Sequence, residues 1–179
     1  MAELNYPKNE IEYYWSFFDK CKIILDVGCG TGWFTEFKNI AIGMDIYTKR
    51  FIRGDVRKLP FKKTSFDGIF ASHIIEHTKN PSVCIKEFKR VLKKKGILLI
   101  RIPQGKYKYP ESDPTHKYMF TKESLEKIVK KENFKILSIW QRYQFKGMYK
   151  LPSKIALPIS FFLGNFLEPT EILLLASYD

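Results

Sequence analysis

Residues 24–32 read Ile24-Leu25-Asp26-Val27-Gly28-Cys29-Gly30-Thr31-Gly32, an apolar run that ends in three alternate glycines. The run Ile23–Val27 predicts a buried strand, and Gly32–Phe37 predicts a short helix beyond the loop. Gly28, Gly30 and Gly32 tolerate positive φ and let a ligand approach the backbone closely. A helix beginning there presents unpaired N–H groups and a positive dipole end to an anionic group. Strand, glycine loop and helix in this order are how doubly wound α/β folds hold nucleotides.

Outward from this unit, Ile40–Met44 (ending at Asp45), Phe51–Arg53 (ending near Asp55) and Phe66–Ala71 read as the next three strands. Only Ile46–Arg50 separate Asp45 from the third strand, where a parallel crossover normally carries a helix. An extended stretch of that size reaches roughly 20 Å, enough to pass back along a strand of about 13 Å. The helix between strands two and three is therefore predicted to be missing. Upstream, Ile11, Tyr14, Trp15 and Phe18 mark an amphipathic helix over Asn9–Lys20. Downstream, Asn80-Pro81 starts a helix with Val83, Cys84, Phe88, Val91 and Leu92 on its apolar face, and Gly96 is read as its stop. Ile97–Ile102 is a continuous apolar strand. Thr121 caps a helix carrying Leu125, Ile128 and Val129, and Phe134–Trp140 and Ile172–Tyr178 are the last two strands. Alternating strands and helices imply an α/β fold, a doubly wound, mostly parallel seven-stranded Rossmann-like sheet.

At 179 residues, 45% of them hydrophobic, the chain fits one globular domain: an N-terminal helix (1–20), a core (21–142), and an insertion with the last strand (143–179). The net charge of +12 favours acidic partners such as nucleic acid or membrane surfaces. No dense Arg/aromatic stripe of the kind that stacks RNA bases accompanies it. Cys21, Cys29 and Cys84 form no Cys-x-x-Cys pair, so neither a disulfide framework nor a zinc site is read from the cysteines. The amino terminus lacks the apolar segment of a signal peptide, and the reading is cytoplasmic. The apolar tail Leu151–Leu167 holds two prolines and a lysine and is marginal in length for a membrane span. It reads as an insertion packed on the domain. A homodimer contact and a grip on a lipid-linked substrate are the alternatives.

The glycine spacing departs from the dinucleotide fingerprint G-x-G-x-x-G, because its last position falls on Trp33. Asp26–Gly32 instead resembles motif I of class I S-adenosylmethionine-dependent methyltransferases. Three further blocks strengthen the resemblance: Ile42-Gly43-Met44-Asp45-Ile46, Arg53-Gly54-Asp55-Val56-Arg57-Lys58-Leu59-Pro60-Phe61, and Phe66–His77 with Arg90–Gly96. The last is similar to the small-molecule, quinone-biosynthesis-like group known as methyltransferase type 11. The resemblance implies S-adenosylmethionine as cofactor and S-adenosylhomocysteine as product. It implies that Asp45 accepts the ribose hydroxyls, that Asp55 and the Val56 N–H meet the adenine, and that Asp26 lies near the methionine amino group. A structural alternative for Asp26 is bonding to the glycine-loop amides. Gly28, Cys29, Gly30, Gly32 and Ile46 complete the cofactor contacts, and Ser72 and His73 line the sulfonium methyl.

The implied reaction is in-line attack on that methyl, where positioning does much of the work and a hydroxyl acceptor also wants a base. His73 is placed for the methyl itself, and His77, next to Glu76, reads as fixing the following loop. His116, in Ser112-Asp113-Pro114-Thr115-His116, resembles the loop histidine of methyltransferases found with surface-polysaccharide genes. It is a candidate base, with a backbone-bonded loop histidine as the alternative. The acceptor is expected to be a small molecule, a glycan or a lipid-linked compound. RNA or protein as acceptor, and a cofactor-binding module without catalysis, are the competing readings.

Overall fold

Strands rich in branched apolar residues associate into one seven-stranded sheet in the computed structural model, which describes residues 8–104, 114–142 and 170–178. The strands are β1 (Ile24–Val27), β2 (Ala41–Asp45), β3 (Ile52–Arg53), β4 (Phe66–Ser72), β5 (Leu92–Pro103), β6 (Phe134–Arg142) and β7 (Glu171–Tyr178). Their order is β3-β2-β1-β4-β5-β7-β6. The first five run parallel, and β7 lies antiparallel between β5 and β6. The mostly parallel doubly wound sheet is thus as expected. The strand order reverses between β1 and β4, and connections leave that point in opposite directions. A crevice therefore opens at the carboxyl ends of these strands.

Both faces of the sheet are buried. On one, Leu25, Val27, Ile69, Leu98 and Ile100 pack against Ile85 and Phe88 of helix α2 (Pro81–Val91) and Leu125 and Val129 of helix α3 (Lys122–Lys131). On the other, Tyr14 and Trp15 of helix α1 (Lys8–Ser16) and the following Phe18 cover Ile24, Phe70, Leu99 and Leu173. Phe34 fills the space between them, its ring 4.5 Å from Trp15 and 4.2 Å from Phe70. Aromatic side chains thus seal a face that short connections leave without further α-helix.

Four local expectations need correction. The helix beyond the glycine loop is a single 3₁₀ turn, Thr35–Phe37, so no α-helical dipole points at the loop. Helix α1 ends at Ser16, and the chain reaches β1 through turns closed by Phe18 N→Trp15 O and Cys21 N→Phe18 O. Asn80 occupies the N-cap of α2 without a side-chain capping bond; Pro81 supplies the start by its fixed φ. Finally, Gly96 does not stop α2, which ends at Val91. Leu92 already pairs with Phe66, and the register shifts before Ile97 pairs with Gly68. The bulge lets Lys94 and Lys95 reach solvent while Leu92 and Leu98 both stay buried. By contrast, Ile46–Arg50 contain no helix, as the spacing requires, and Thr121 caps α3 in a reciprocal capping box with Ser124.

Candidate active site

The glycine loop is built by backbone bonds to its neighbour strand. Gly28 N and Cys29 N both donate to Met44 O, at 2.8 and 3.1 Å, and Gly32 N donates to Cys29 O at 2.8 Å. All three glycines sit at positive φ, +73°, +51° and +89° in chain order. Asp45, at the tip of β2, accepts from Gly30 N at 3.2 Å and from Tyr47 N at 2.8 Å. The loop has walls. A Cβ on Gly28 would stand 2.8 Å from Ile74 and one on Gly32 2.3 Å from the Phe51 ring, whereas one on Gly30 would meet nothing within 4 Å. The cradle is open over Gly30, beside the Asp45 carboxylate.

Asp26 is buried beneath this loop and accepts a 2.6 Å bond from Thr35 Oγ1. Burial pushes its carboxyl up to about 7 against the opposing bonds from Thr35. Its partner is therefore the 3₁₀ turn rather than the loop amides. A cationic group placed next to Asp26 would ionise it near neutral pH. Asp55 follows β3 and is held by Arg57: Nε lies 3.0 Å from both oxygens, and Arg57 N donates to Oδ1 at 2.8 Å. The side-chain bonds from Arg57 keep this carboxyl below its ordinary value. Val56 and Cys29 are buried, and burial pushes the Cys29 thiol up to about 12, so it is inert as a nucleophile. Ile46 is exposed at the rim.

Across the crevice, β4 ends at Ser72, and His73 takes a left-handed φ of +50°, its N–H donating to Arg101 O at 2.8 Å. Strain of this kind persists only where the surroundings over-determine it. His73 Nε2 lies 3.1 Å from Glu171 Oε1, and Nδ1 lies 3.5 Å from Glu76 Oε1. Burial works against the imidazolium, but the neighbouring Glu171 and Glu76 carboxylates outweigh it and raise the pKa. Glu171 is buried too. Arg101 overcomes the burial penalty and, with His73, keeps the Glu171 carboxyl well below the ordinary range. Arg101 Nη2 donates to Glu171 Oε1 at 2.7 Å and lies 3.6 Å from Glu10 Oε1. Glu10 in turn accepts from Tyr14 at 3.0 Å and pairs with Arg142. Both ring nitrogens of His73 thus face protein carboxylates.

His116 lies beyond β5 with its ring 4.8 Å from that of His77, at an interplanar angle of 62°. His77 Nδ1 is 2.9 Å from Thr115 Oγ1, which ties the 3₁₀ turn Ile75–His77 to the segment bearing His116. The sequence-predicted residues therefore fall into two groups along the carboxyl edge. Asp26, the glycines, Asp45, Asp55 and their neighbours lie at β1–β3. Ser72, His73 and, through Glu76, His116 lie at β4–β5. Reading the sequence missed Glu76, Glu10, Arg101 and Glu171 as members of this edge. A signal did exist for Arg101, a lone cation inside the apolar run Ile97–Ile102, and for Glu171, a lone carboxylate opening the apolar run of β7. The tail Leu151–Leu167 lies outside the described residues. Among the described residues, no helix is long and apolar enough to cross a membrane.

Residues 25–100 match the family described as methyltransferase domain. An uncharacterized protein of Methanocaldococcus jannaschii is 40% identical over 88 residues, which cover 44% of this chain and 43% of that protein. A malonyl-[acyl-carrier protein] O-methyltransferase of Erwinia pyrifoliae is 26% identical over 102 residues, covering 48% of this chain and 39% of that enzyme. The match takes in less than half the length of either relative. Among solved structures, a SAM-dependent methyltransferase from Archaeoglobus fulgidus shares the fold with a TM-score of 0.73 at 21% identity, covering 95% of this chain and 92% of that one.

Proposed function

We propose that this protein, whose residues 25–100 match the methyltransferase-domain family, is a class I S-adenosylmethionine-dependent methyltransferase that transfers a methyl group from S-adenosylmethionine to a small-molecule, glycan or lipid-linked acceptor. The observation that carries the reading is the open cradle over Gly30 with Asp45 bonded to its edge. The residues present fit the group. Asp45 retains acceptor capacity for ribose hydroxyls beside its two backbone bonds. Asp55 is paired to Arg57, whose side chain is 61% exposed, and its carboxylate is the proposed acceptor for the adenine amine. Asp26 is a buried carboxyl that a cationic amino group would ionise.

When bound, the cofactor supplies a methyl group on a sulfonium. This chain's own part is to hold donor and acceptor in line and to exclude water. Ser72 ends β4 beside the cradle and His73 follows it, paired with Glu171 and Glu76. A hydroxyl acceptor gives up its proton, and His116 is the proposed recipient. His116→Ala is expected to abolish turnover while cofactor affinity stays within about twofold, since histidine supplies acid–base help without holding the cofactor. Unchanged turnover would remove His116 from the mechanism.

Transfer of labelled methyl into a cell extract, with and without nuclease, tests the reading as a whole. Label that survives nuclease and partitions with small molecules, lipids or glycans is the expected result. Label lost with nuclease would make nucleic acid the acceptor. Cofactor binding without transfer would leave a binding module. Asp45→Ala is expected to weaken cofactor binding about 10- to 100-fold, the size of lost hydrogen bonds to a charged group. Isothermal titration checks it.

A further inference from the structure

Glu76 carries the most demanding side chain on this edge. It is fully buried, and among the described residues its carboxylate accepts no hydrogen bond and has only a 3.5 Å ion pair to His73 Nδ1. A buried carboxylate left in that state is costly, and a cation is what relieves it. Two imidazoles stand beside it: one ligand atom from each of Glu76, His77 and His116 lies within 4.8 Å of the others. An ion between them reaches ordinary ligand distances of about 2.0–2.2 Å after side-chain shifts of under about 1 Å.

The surroundings hold these groups as ligands are held. Lys117 N and Tyr118 N both donate to Glu76 O, at 2.8 and 3.0 Å, so the segment bearing His116 is pinned by backbone bonds to the residue that supplies the carboxylate. His77 Nδ1 faces Thr115 O at 3.3 Å and Thr115 Oγ1 at 2.9 Å. A carbonyl there selects the Nδ1–H tautomer and leaves the Nε2 lone pair for a metal, the usual outer-sphere arrangement of a ligating histidine. His73 Nδ1, 3.5 Å from Glu76 Oε1, backs the carboxylate from the other side.

We propose that Glu76, His77 and His116 form a binding site for one first-row divalent cation of the zinc class. Two imidazoles and one carboxylate are borderline donors that suit Zn²⁺ over Mg²⁺ or Ca²⁺. The proposal stands on this geometry whether or not the chain transfers a methyl group. A bound ion would engage His116 in place of the proton-accepting role proposed above, so loss of turnover in His116→Ala cannot separate the two roles and metal binding itself is the readout.

The test uses the untagged full chain, stripped with a chelator and titrated with Zn²⁺ against a chromophoric competitor. One equivalent bound at about micromolar Kd or tighter is expected. His77→Ala and His116→Ala are each expected to weaken binding at least about tenfold, with Glu76→Gln following them and Cys21→Ser leaving it unchanged. Thermal unfolding covers a variant that folds poorly: Zn²⁺ raises the Tm of the stripped wild-type chain and does not raise that of His116→Ala. Failure of the wild-type chain to bind an equivalent of Zn²⁺ would overturn the proposal. So would binding that is equally tight in both histidine variants, or binding lost only when Cys21 is replaced.

Discussion

Gly30 and Gly32 share a backbone requirement and differ in what surrounds them. Both have positive φ, so alanine at either costs about 1–2 kcal/mol in backbone strain. At Gly32 the new Cβ also strikes the Phe51 ring, which brings the expected loss to about 2–4 kcal/mol. At Gly30 the Cβ points into the open cradle, so Gly30→Ala is expected to keep most of its stability and lose cofactor binding. Denaturant unfolding beside isothermal titration separates the two. Asp26 gives a pH signature. Its folded pKa of about 7 stands above the ordinary carboxyl value, so the folded state holds the proton more tightly than the unfolded chain. This contribution to stability is complete below about pH 4 and is lost as pH rises to about 7, by roughly 4 kcal/mol. Asp26→Asn is expected to flatten that slope in denaturant midpoints measured from pH 4 to 8; an unaltered slope would place the titration elsewhere. The gathering of Asp26, Asp45 and the glycines around one loop was legible in the sequence because each lies within a short motif at a strand end. The pairing of Glu171 with Arg101 was not, because the two lie 70 positions apart and meet only through strand pairing.

At the scale of elements, the strands were read well where burial dictates an apolar run, as at β1, β4 and β7. Their direction was less legible. A strand buried on both faces reads the same whether parallel or antiparallel, so nothing in Ile172–Tyr178 announces that β7 runs against β5 and β6. The missing crossover helix was predictable from length alone, since Ile46–Arg50 is too short to hold one and still return. The short helix expected after β1 from the order of strand, glycine loop and helix is a single 3₁₀ turn, preceded by Trp33 and Phe34. In the fold these two are fillers of the aromatic layer with Tyr14, Trp15 and Phe70. Gly96 was misread because glycine marks both a helix end and a strand bulge, and only the pairing of Leu92 with Phe66 decides between them.

Across the whole molecule, charge is divided between the two edges of the sheet. Lys20, Lys22 and Lys93–Lys95 line a cleft at the amino edge, with Asp67 accepting from Lys93 at 2.8 Å, while the candidate site lies at the carboxyl edge. The net positive charge is thus partly gathered away from the chemistry. At the carboxyl edge, Glu10, Arg101, Arg142, Glu171 and His73 join α1, β5, β6, β7 and the end of β4. Removing one partner leaves a buried charge uncompensated, and Glu171→Gln is expected to cost about 3–5 kcal/mol. The double variant Arg101→Met with Glu171→Leu is expected to recover much of that loss in the same unfolding measurement; an additive loss would show that the pair is not coupled. The place of β7 also bears on how the chain is made. It is translated after the other six strands, yet it lies between β5 and β6 in the sheet and carries Glu171, which pairs with Arg101. Without Glu171–Tyr178, β5 lacks the strand that pairs with its far edge in the fold, and an unpaired apolar edge of that kind is a template for mispairing with other chains.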